Sequence, residues 1–485
     1  MSVNVIWFKR DLRLSDHEPL GAAIDACNSE SRPLLLLYVF EDFLIDDPHY
    51  SERHWRFVYQ SLVDMAQRLP KRSLWVRRGE ALDVLEAIHK EHEIHNLYSH
   101  QEIGLGNTFD RDKNIANWCQ EKSIVWHEFQ TGAVHRALPN RDNWDREWNK
   151  TMRSEIEPVD FTQVKFITTN VSALDQLDHT WKTLDDHFQK GGEQAANDTL
   201  EDFLNERGKA YAYSLSSPSL SREHCSRLSP YLAWGNISLR QVYQTVLSNW
   251  QRPGWRRTLS AFSSRLHWHC HFIQKFESES RLEFEPINRG YLDLPRSDDN
   301  QAKRNLEAWK RGHTGYPMID ACMRCLIATG YINFRMRAML VSFLTHHLAL
   351  DWRQGVHHLA QVFLDFEPGI HYTQFQMQAG VTGINMIRMY NPTKQAQEKD
   401  PEAVFIKQWL PELAAVPVPL VFEPWTMTEM DQMMHGVKIG DDYPEPIIDL
   451  KQAAKQARDL LWSWRKKPLV IQEAKRIIKR HVRSN

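Results

Sequence analysis

The sequence is poor in cysteine, in long apolar runs and in targeting signals. Six cysteines in 485 residues are too sparse for a disulfide framework, so free thiols in a reducing compartment are expected. No apolar run reaches the roughly 18 residues that a membrane span needs. The N-terminal segment MSVNVIWFKRDLRLSD lacks the apolar stretch and the small-residue cleavage site of a signal peptide. These absences predict a cytoplasmic protein without a membrane segment.

Net charge is also small, but it is uneven along the chain. The sequence has 60 basic and 62 acidic residues, whereas residues 451–485 hold 11 Lys or Arg and two acidic residues. This local excess of +9 can bind a polyanion by releasing counterions, and a solvated face of an amphipathic helix explains it equally well. Four apolar residues of this tail fall on one helical stripe, opposite Lys and Arg: Val470, Ala474, Ile478 and Val482.

The first 130 residues alternate strand-like and helix-like segments. Helical patterns separate five β-branched or aromatic runs, which in chain order are VNVIWF, PLLLLYVF, SLWVRR, HNLYSH and IVWHEF. Continuous apolar strands with helices between them are typical of a parallel sheet that is covered on both faces. The sequence therefore predicts an α/β domain with a doubly wound parallel sheet for residues 1–130.

The rest of the chain has a different character. Residues 131–195 are rich in Pro, Asn and Asp and are predicted to be an interdomain linker. Residues 196–485 show helical periodicity broken by Pro and Gly, so an all-α C-terminal domain is expected there. No internal repeat or low-complexity tract is found in either half.

Three strings in the C-terminal half carry a more specific signal. The first, CSRLSPYLAWGNIS, offers hydroxyls and amide groups that can hold an anion such as a pyrophosphate, although a plain helix cap is the simpler local interpretation. The others are WKRGHTGYPMIDACMR and YNPTKQAQEKDPEAVFIKQWLPEL. Together with the N-terminal WFKRDLRLSDHEPL, these strings resemble the photolyase and cryptochrome family over nearly the whole chain. The resemblance implies an antenna-type α/β domain and a helical domain that binds FAD in a compact U shape.

The resemblance also implies a set of FAD-binding residues. Tyr213, Ser226, Leu228 and Ser229 fall where the family holds the FAD phosphates and the ribityl chain. Arg337 and Asp365 fall at positions that pair beside the isoalloxazine ring, where a cation favours reduced, anionic flavin; an ordinary surface ion pair is the alternative. The full set is Tyr213, Cys225, Ser226, Arg227, Leu228, Ser229, Phe262, Arg265, His269, Arg337, Asp365, Phe366, Glu367 and His371.

Two positions beside the flavin depart from the family pattern. His371 stands where the residue facing the reactive ring nitrogen is usually Asn, Asp or Cys. A histidine there can act as acid or base near neutral pH, and a buried histidine satisfied by the backbone is the alternative. Phe375 replaces the flavin-proximal tryptophan of the family's electron relay, while Trp352 matches the middle one. Because phenylalanine is hard to oxidise, we expect slow photoreduction or another route, through Tyr372 or a tryptophan elsewhere.

The lesion-binding positions have changed as well. Trp268 keeps the aromatic residue that stacks on a flipped pyrimidine dimer, and enzymes that act on an extruded base need such stacking faces. Arg265 replaces an acidic residue, His269 replaces a basic one, and Met377 stands where a second stacking tryptophan is common. The predicted catalytic residues are His371, Trp268, Trp352 and Met377.

Two further substitutions bear on the type of lesion. Phe334 and Ala338 stand where enzymes acting on 6-4 photoproducts carry two histidines, which disfavours that substrate. Arg335, Arg388 and Lys394 flank the pocket in the family, and contacts to backbone phosphates need only charge and reach. These three residues and Trp268 are therefore the predicted DNA-binding residues.

Two metal-like patterns do not complete a site. His267 and His271 lie four residues apart on a predicted helix, without a third and a fourth ligand at suitable spacing. Cys322 and Cys325 form a C-x-x-C pattern inside another helix, where packing is expected. The four cysteines of the family's iron-sulfur branch are not evident, so no metal is predicted.

The resemblance favours light-driven repair of cyclobutane pyrimidine dimers in UV-damaged DNA, by electron transfer from reduced FAD. A cryptochrome-like blue-light photoreceptor with a signalling partner is the alternative, and a dark DNA-binding protein that keeps FAD structurally is a third. The antenna pigment is expected to be a folate or a deazaflavin at the carboxyl ends of the strands, with Asn107 and Glu102 as candidate ligands, unless that site is empty. A monomer is expected.

Overall fold

The computed structural model describes residues 2–156 and 158–482. Its N-terminal half contains one sheet with the strands β1 (Val3–Phe8), β2 (Leu34–Phe40), β3 (Leu74–Arg78), β4 (Ile94–His100) and β5 (Val125–Phe129). The helices that cover this sheet are α1 (Glu18–Glu30), α2 (Asp42–Ile45), α3 (Glu52–Arg68), α4 (Ala81–His92) and α5 (Gly106–Glu121).

All neighbouring strands of the sheet are parallel, and their order is β3-β2-β1-β4-β5. In the central strand β1, Val5 pairs with Leu35 of β2 on one side and with Leu97 of β4 on the other. The direction of winding reverses between β1 and β4. In open α/β sheets, ligands bind outside the carboxyl ends of the strands at this switch point. The predicted doubly wound parallel sheet is confirmed.

The two faces of the sheet are buried against different partners, because successive side chains of a strand point to opposite faces. Val5 packs in a cluster with Leu85 of α4 and Ile115 of α5. Ile6 belongs to a larger cluster that includes Leu62 of α3 and extends through the helical half. One face of the sheet therefore has a local core, and the other shares its core with the C-terminal helices.

The remainder of the chain is helical. Its helices are α6 (Trp144–Arg153), α7 (His179–Lys182), α8 (Glu193–Asn205), α9 (Tyr211–Ser214), α10 (Leu220–His224), α11 (Ser229–Ala233), α12 (Leu239–Ser248), α13 (Arg256–Ser278), α14 (Asn300–Arg311), α15 (Pro317–Thr329), α16 (Phe334–Ser342), α17 (Arg353–Val362), α18 (Pro368–Gln378), α19 (Pro392–Lys399), α20 (Val404–Trp409), α21 (Glu429–His435), α22 (Leu450–Arg465) and α23 (Pro468–His481). The predicted all-α C-terminal region is confirmed. In the described part of the chain, no helix combines the length and apolar character needed to cross a bilayer.

The stretch predicted as a linker contains structure of its own. Helices α6 and α7 and the start of α8 lie within it. Trp144 and Trp148 of α6 are buried and pack edge-on against the ring of His267 on α13. This stretch therefore adds buried aromatic surface to the helical half.

The apolar stripe predicted for the basic tail is fully buried only at its first residue, Val470. In α23 the buried residues are Val470, Ile477 and His481, whereas Ile478 and Val482 are about half exposed. The predicted stripe advanced in steps of four residues. Each such step drifts by about 40° around a helix of 3.6 residues per turn, so its later members turn away from the protein.

The loop after β1 binds the sheet to the helical half. Nη2 of Arg10 donates to the carbonyl of Phe366 over 2.6 Å, and its Nε donates to the carbonyl of Ala233 over 3.1 Å. Asp16 is buried and accepts hydrogen bonds from Arg240 and from Oγ of Ser238. This loop leaves the carboxyl end of β1, so the switch point of the sheet faces the C-terminal helices.

Candidate FAD site

Of the residues predicted to hold the FAD phosphates, Ser226, Leu228 and Ser229 lie in one tight turn that leads from α10 into α11, whereas Tyr213 lies on α9. Leu228 is fully buried, and its N–H donates to Oγ of Ser226 over 3.4 Å. Arg227 has a φ of 59°, a left-handed conformation that residues other than glycine seldom adopt. Strained backbone of this kind persists where the surrounding structure fixes it, and it concentrates at ligand-binding segments. The turn is thus a candidate for ligand binding on its geometry as well as on its sequence.

The guanidinium of Arg227 is held firmly but leaves one donor free. Its centre lies 3.8 Å from the centroid of the Tyr331 ring, and Nη2 donates to Oε1 of Gln189 over 2.9 Å. Its Nε is buried, and no described group accepts a hydrogen bond from it. Native proteins leave few buried donors unpaired. A charged donor in such a turn suits an anionic group such as the FAD pyrophosphate.

Arg337 and Asp365 form the ion pair that the resemblance implies. Nη2 of Arg337, on α16, donates to Oδ1 of Asp365 over 2.6 Å, and the two side chains are only 16% and 11% exposed. The guanidinium also stacks 3.5 Å from the centroid of the Phe363 ring. A cation fixed in such a poorly solvated place interacts strongly with negative charge nearby. This geometry makes Arg337 suitable for stabilising a negative ring beside it.

His371 lies on α18 and is buried. Its Nε2–H donates to the carbonyl of Val356 over 2.9 Å. Burial lowers the pKa of His371 to about 3, although the bond to Val356 opposes that shift. The imidazole is therefore neutral at physiological pH, and its proton is held by the backbone. This contact agrees with the structural interpretation of His371 and leaves Nδ1 as the atom through which the ring can act.

A small cavity lies between α16 and α18, where the resemblance places the flavin ring. Arg337, His371 and Phe375 line it together with Gln374 and Gln378. Oε1 of Gln374 and Nε2 of Gln378 are buried and have no partner among the described residues, so a polar ligand suits this place. The donors and acceptors match a flavin, whose ring edge carries both kinds of group. The gap itself measures about 10 Å³.

Three aromatic residues connect this cavity to the interior. The ring centroids of Phe375 and Trp352 lie 6.3 Å apart, and those of Trp352 and Tyr372 lie 6.2 Å apart. Tyr372 is fully buried and its hydroxyl contacts the ring of His49 in the N-terminal half. The sequence pointed to Trp352 and Tyr372. It gave no reason to select His49, which lies 323 residues away in the chain.

The predicted DNA-contacting residues lie at the surface. Trp268 of α13 and Phe334 of α16 are 44% and 49% exposed. Arg335 is partly buried, and Nη1 donates to Oε1 of Gln395 over 3.5 Å. Arg388 and Lys394 are exposed. Exposed rings and cations together can contact the bases and phosphates of DNA.

Several other residues of the predicted set are placed differently. Tyr213 is 71% exposed, and its hydroxyl accepts a hydrogen bond from Arg257. Phe262 is buried in the core against Phe203. Arg265 is exposed on the surface of α13. Tyr213 and Phe262 therefore contact other residues of the protein, and neither lies in the turn at Arg227.

The remaining members lie at the boundary with the N-terminal half. Oε2 of Glu367 lies 3.3 Å from Nη2 of Arg10, and Phe366 is buried beneath them. The carbonyl of Cys225 accepts a hydrogen bond from Arg207. Met377 is partly buried, and Nδ1 of His269 is buried without a partner in the described chain. His269 therefore offers a further free polar atom to a ligand.

The carboxyl ends of β1 and β4 carry a second cavity, of about 140 Å³. Glu102 lines it, and its Oε2 accepts a hydrogen bond from Nη2 of Arg111 over 2.8 Å. Asn107 does not line it, because Nδ2 of Asn107 donates to Oδ2 of Asp47 over 2.7 Å. This cavity lies where an antenna pigment is expected, and only Glu102 of the two candidate ligands faces it.

Metal-like clusters in the described residues are accounted for by hydrogen bonds. Oδ2 of the buried Asp11 lies 2.9 Å from Nε2 of His17 and 2.6 Å from Nδ1 of His100. The N–H of Leu20 donates a hydrogen bond to Nδ1 of His17. The proton of His17 therefore lies on Nε2, which donates a hydrogen bond to Asp11. Nε2 of His267 is bonded to Asp145 over 3.0 Å. The expectation of no metal stays a prediction.

Comparison with known proteins supports the cofactor assignment. Residues 4–141 match the family model described as DNA photolyase, and residues 262–463 match the FAD binding domain of DNA photolyase. A deoxyribodipyrimidine photo-lyase of Alkalihalophilus pseudofirmus is 27% identical, over 94% of this chain and 97% of its own. A cryptochrome DASH of Gloeobacter violaceus is 26% identical, over 93% of this chain and 94% of its own.

A solved structure extends this likeness to three dimensions. The archaeal photolyase from Sulfolobus tokodaii, solved with two FAD molecules, matches with a TM-score of 0.78 and 26% identity over 96% of this chain and 100% of its own. The α/β fold with a helical FAD-binding domain is therefore confirmed, and FAD is the cofactor of that domain. The chain belongs to the photolyase and cryptochrome family.

Proposed function

We propose that this protein is a light-driven, FAD-dependent lyase that repairs cyclobutane pyrimidine dimers in DNA. The observation that carries the proposal is the exposed indole of Trp268 on α13. An exposed tryptophan offers a stacking face for a base extruded from the duplex. Phe334 offers a second exposed ring on α16.

The chain's own residues divide the work of binding and orientation. Arg335, Arg388 and Lys394 supply cations for backbone phosphates, which fix the position of DNA without reading its sequence. Arg337 supplies a fixed cation at the ring side, and Asp365 orients it through their 2.6 Å hydrogen bond. When bound, FAD supplies light absorption and one-electron transfer.

The test is illumination of FAD-loaded protein with two oligonucleotides, one carrying a cyclobutane dimer and the other a 6-4 photoproduct. We expect blue light to restore the cyclobutane dimer to two pyrimidines, with no change in the dark and none in the 6-4 lesion. Chromatography of the oligonucleotides measures both. Persistence of the cyclobutane dimer in illuminated, flavin-containing samples contradicts the proposal.

A blue-light photoreceptor of the cryptochrome type is the second candidate. The observation that favours it is the composition of α18, where His371 is held by a backbone carbonyl and Phe375 faces the cavity. These residues follow neither the repair pattern nor the usual electron relay. Flavin photoreduction without loss of either lesion is the outcome that selects this candidate.

A further inference from the structure

A buried chain of hydrogen bonds links the two halves of the protein beside the aromatic residues of the site. Nε2 of His49 lies 2.5 Å from the hydroxyl of Tyr372, and Nδ1 of His49 lies 2.6 Å from Oδ1 of Asp47. Asp47 and His49 follow α2, whereas Tyr372 belongs to α18. Three side chains thus form a carboxylate, imidazole and phenol sequence across the interface between the halves.

The contacts around Asp47 fix the proton positions in this chain. The carboxylate of Asp47 also accepts hydrogen bonds from the backbone N–H of His49 over 2.9 Å and from Nδ2 of Asn107 over 2.7 Å. Burial alone raises the pKa of Asp47, but the bonds from His49 and Asn107 bring it below its ordinary value. An ionised Asp47 draws the imidazole proton to Nδ1. Nε2 then carries no proton and accepts a hydrogen bond from the hydroxyl of Tyr372.

The phenol of Tyr372 keeps its proton in the resting protein. Burial raises the pKa of its phenol well above the ordinary value, and Glu283, Asp47 and Tyr50 raise it further. A phenol that has lost an electron is strongly acidic, however, and gives up its proton at once to a base in contact. His49 is such a base. Tyr372 is therefore arranged to lose an electron and a proton together rather than a proton alone.

Trp352 lies beside Tyr372 but has no comparable base in contact with its indole N–H. Their rings meet edge to face with centroids 6.2 Å apart. Nε1 of Trp352 is buried, and no acceptor for its N–H is found among the described residues. An oxidised Trp352 therefore has no base to take its indole proton. The oxidised state is stabilised only when a neighbouring residue that can release a proton gives its electron to Trp352.

From this geometry we infer that Tyr372 is a redox-active tyrosine that reduces oxidised Trp352, with His49 as its proton acceptor and Asp47 as the residue that positions His49. The inference rests on the FAD chemistry of the proposed function. Trp352 gives one electron to light-excited flavin, the oxidant that this function supplies, and becomes an indole radical cation. Tyr372 returns one electron to Trp352 while its O–H bond breaks and the proton moves to Nε2 of His49. The products are neutral Trp352, a neutral tyrosyl radical and an imidazolium balanced by Asp47.

The test identifies the radical directly. Protein containing oxidised FAD is illuminated and frozen, and its protein radical is recorded by electron paramagnetic resonance, with natural or ring-deuterated tyrosine incorporated. We expect the wild-type signal to narrow on tyrosine deuteration and to be lost in Tyr372→Phe. The matched control is Tyr443→Phe, which removes another buried hydroxyl, one that donates to Asp320 over 2.7 Å. That variant is expected to keep the signal.

A second variant tests whether His49 accepts a proton or only holds Tyr372 in position. In His49→Gln the side chain can still accept a hydrogen bond but is not a base, so the tyrosyl signal is expected to be lost while flavin content is retained. Decay of the Trp352 radical cation is expected to slow in D₂O in the wild type, and this isotope effect is expected to disappear in both Tyr372→Phe and His49→Gln.

The outcomes are distinguishable from those of the proposed function. A wild-type signal unchanged by tyrosine deuteration, in protein that contains flavin, overturns this inference alone and needs no variant. A tyrosyl signal that survives Tyr372→Phe also overturns it. Protein without flavin absorbance overturns the proposed function and this inference together.

Discussion

The resemblance places the FAD phosphates at the turn Cys225–Ser229 and the flavin ring at helix α18, and these two regions differ in how closely they follow the family. The turn keeps the family's sequence and adopts a strained conformation at Arg227. Helix α18 places His371, Gln374 and Phe375 at the cavity. The contrast indicates that holding the cofactor and directing its chemistry depend on separate residues. Changes on α18 are thus expected to alter photochemistry more than cofactor content.

The largest expected effect follows from breaking the Arg337–Asp365 pair. Asp365→Asn leaves a largely buried guanidinium without its countercharge, so we expect a loss of about 3 kcal/mol in unfolding free energy and reduced flavin retention. Denaturant unfolding and the flavin-to-protein ratio measure both. The control Glu307→Gln breaks an exposed pair with Lys310 and is expected to cost about 0.5 kcal/mol or less. Equal losses of unfolding free energy in the two variants show that the Arg337–Asp365 pair contributes no more than an exposed ion pair.

The next effect concerns the lesion-facing surface. Trp268→Ala removes a stacking face worth about 1–3 kcal/mol per base, so affinity for a dimer-containing oligonucleotide is expected to fall about tenfold or more. Trp462→Ala is the matched control, because Trp462 is also about half exposed but lies on α22. Titration with labelled oligonucleotides measures both variants. Unchanged affinity in Trp268→Ala removes this residue from the DNA-binding surface.

A smaller effect is expected from the neutral histidine on α18. Burial lowers the pKa of His371 to about 3, while an unfolded histidine titrates near 6.5. The unfolded chain thus binds more protons between these values. The stability contributed by neutral His371 is complete above about pH 6.5 and is lost as the pH falls towards 3.

Substitution of His371 measures its share of this acid sensitivity. His54 and His346 are also buried with their pKa lowered to about 3, so the wild type is expected to lose stability between pH 7 and 5. His371→Asn is expected to reduce that loss by on the order of 1–2 kcal/mol. Unfolding free energies at the two pH values test this. An identical pH dependence in wild type and variant shows that His371 is not held neutral by the fold.

The smallest effect tests the free amide at the ring side. Gln374→Ala removes a buried acceptor that lacks a partner within the described protein, so the apoprotein is not expected to lose hydrogen-bond stabilisation. If flavin satisfies this atom, its affinity falls about fivefold, or about 1 kcal/mol. Fluorescence titration with FAD measures the change. Tighter FAD binding in Gln374→Ala shows instead that the Gln374 side chain occupies space needed by the flavin ring and donates or accepts no hydrogen bond with it.

The sheet could be predicted from the sequence, but the position of α18 within the predicted all-α region could not. The strands of the sheet are continuous apolar runs because both faces are covered, and such runs are visible in the sequence. Helix α18 is buried on nearly every side, so it has no polar face to create a 3.6-residue period. The resemblance identified His371 and Phe375 on this segment, whereas periodicity gave no signal there.

The candidate electron and proton chain shows a second limit. Tyr372 and Trp352 belong to segments that the resemblance covers. His49 contacts Tyr372 only because the loop after α2 meets α18 in the folded protein. No local pattern around PHYSER distinguishes His49 from an ordinary loop histidine. Chain-distant contacts of this kind require the fold, because sequence spacing carries no information about them.

The most direct test of the division between the two regions is the variant Phe375→Trp. It restores an oxidisable ring at the flavin-proximal position of α18 and leaves the turn at Arg227 unchanged. Flavin content and the initial rate of light-driven flavin reduction are measured on the same preparations of wild type and variant. We expect the same flavin-to-protein ratio in both proteins and a faster flavin reduction in the variant. An unchanged rate, or loss of flavin together with any rate change, contradicts this expectation.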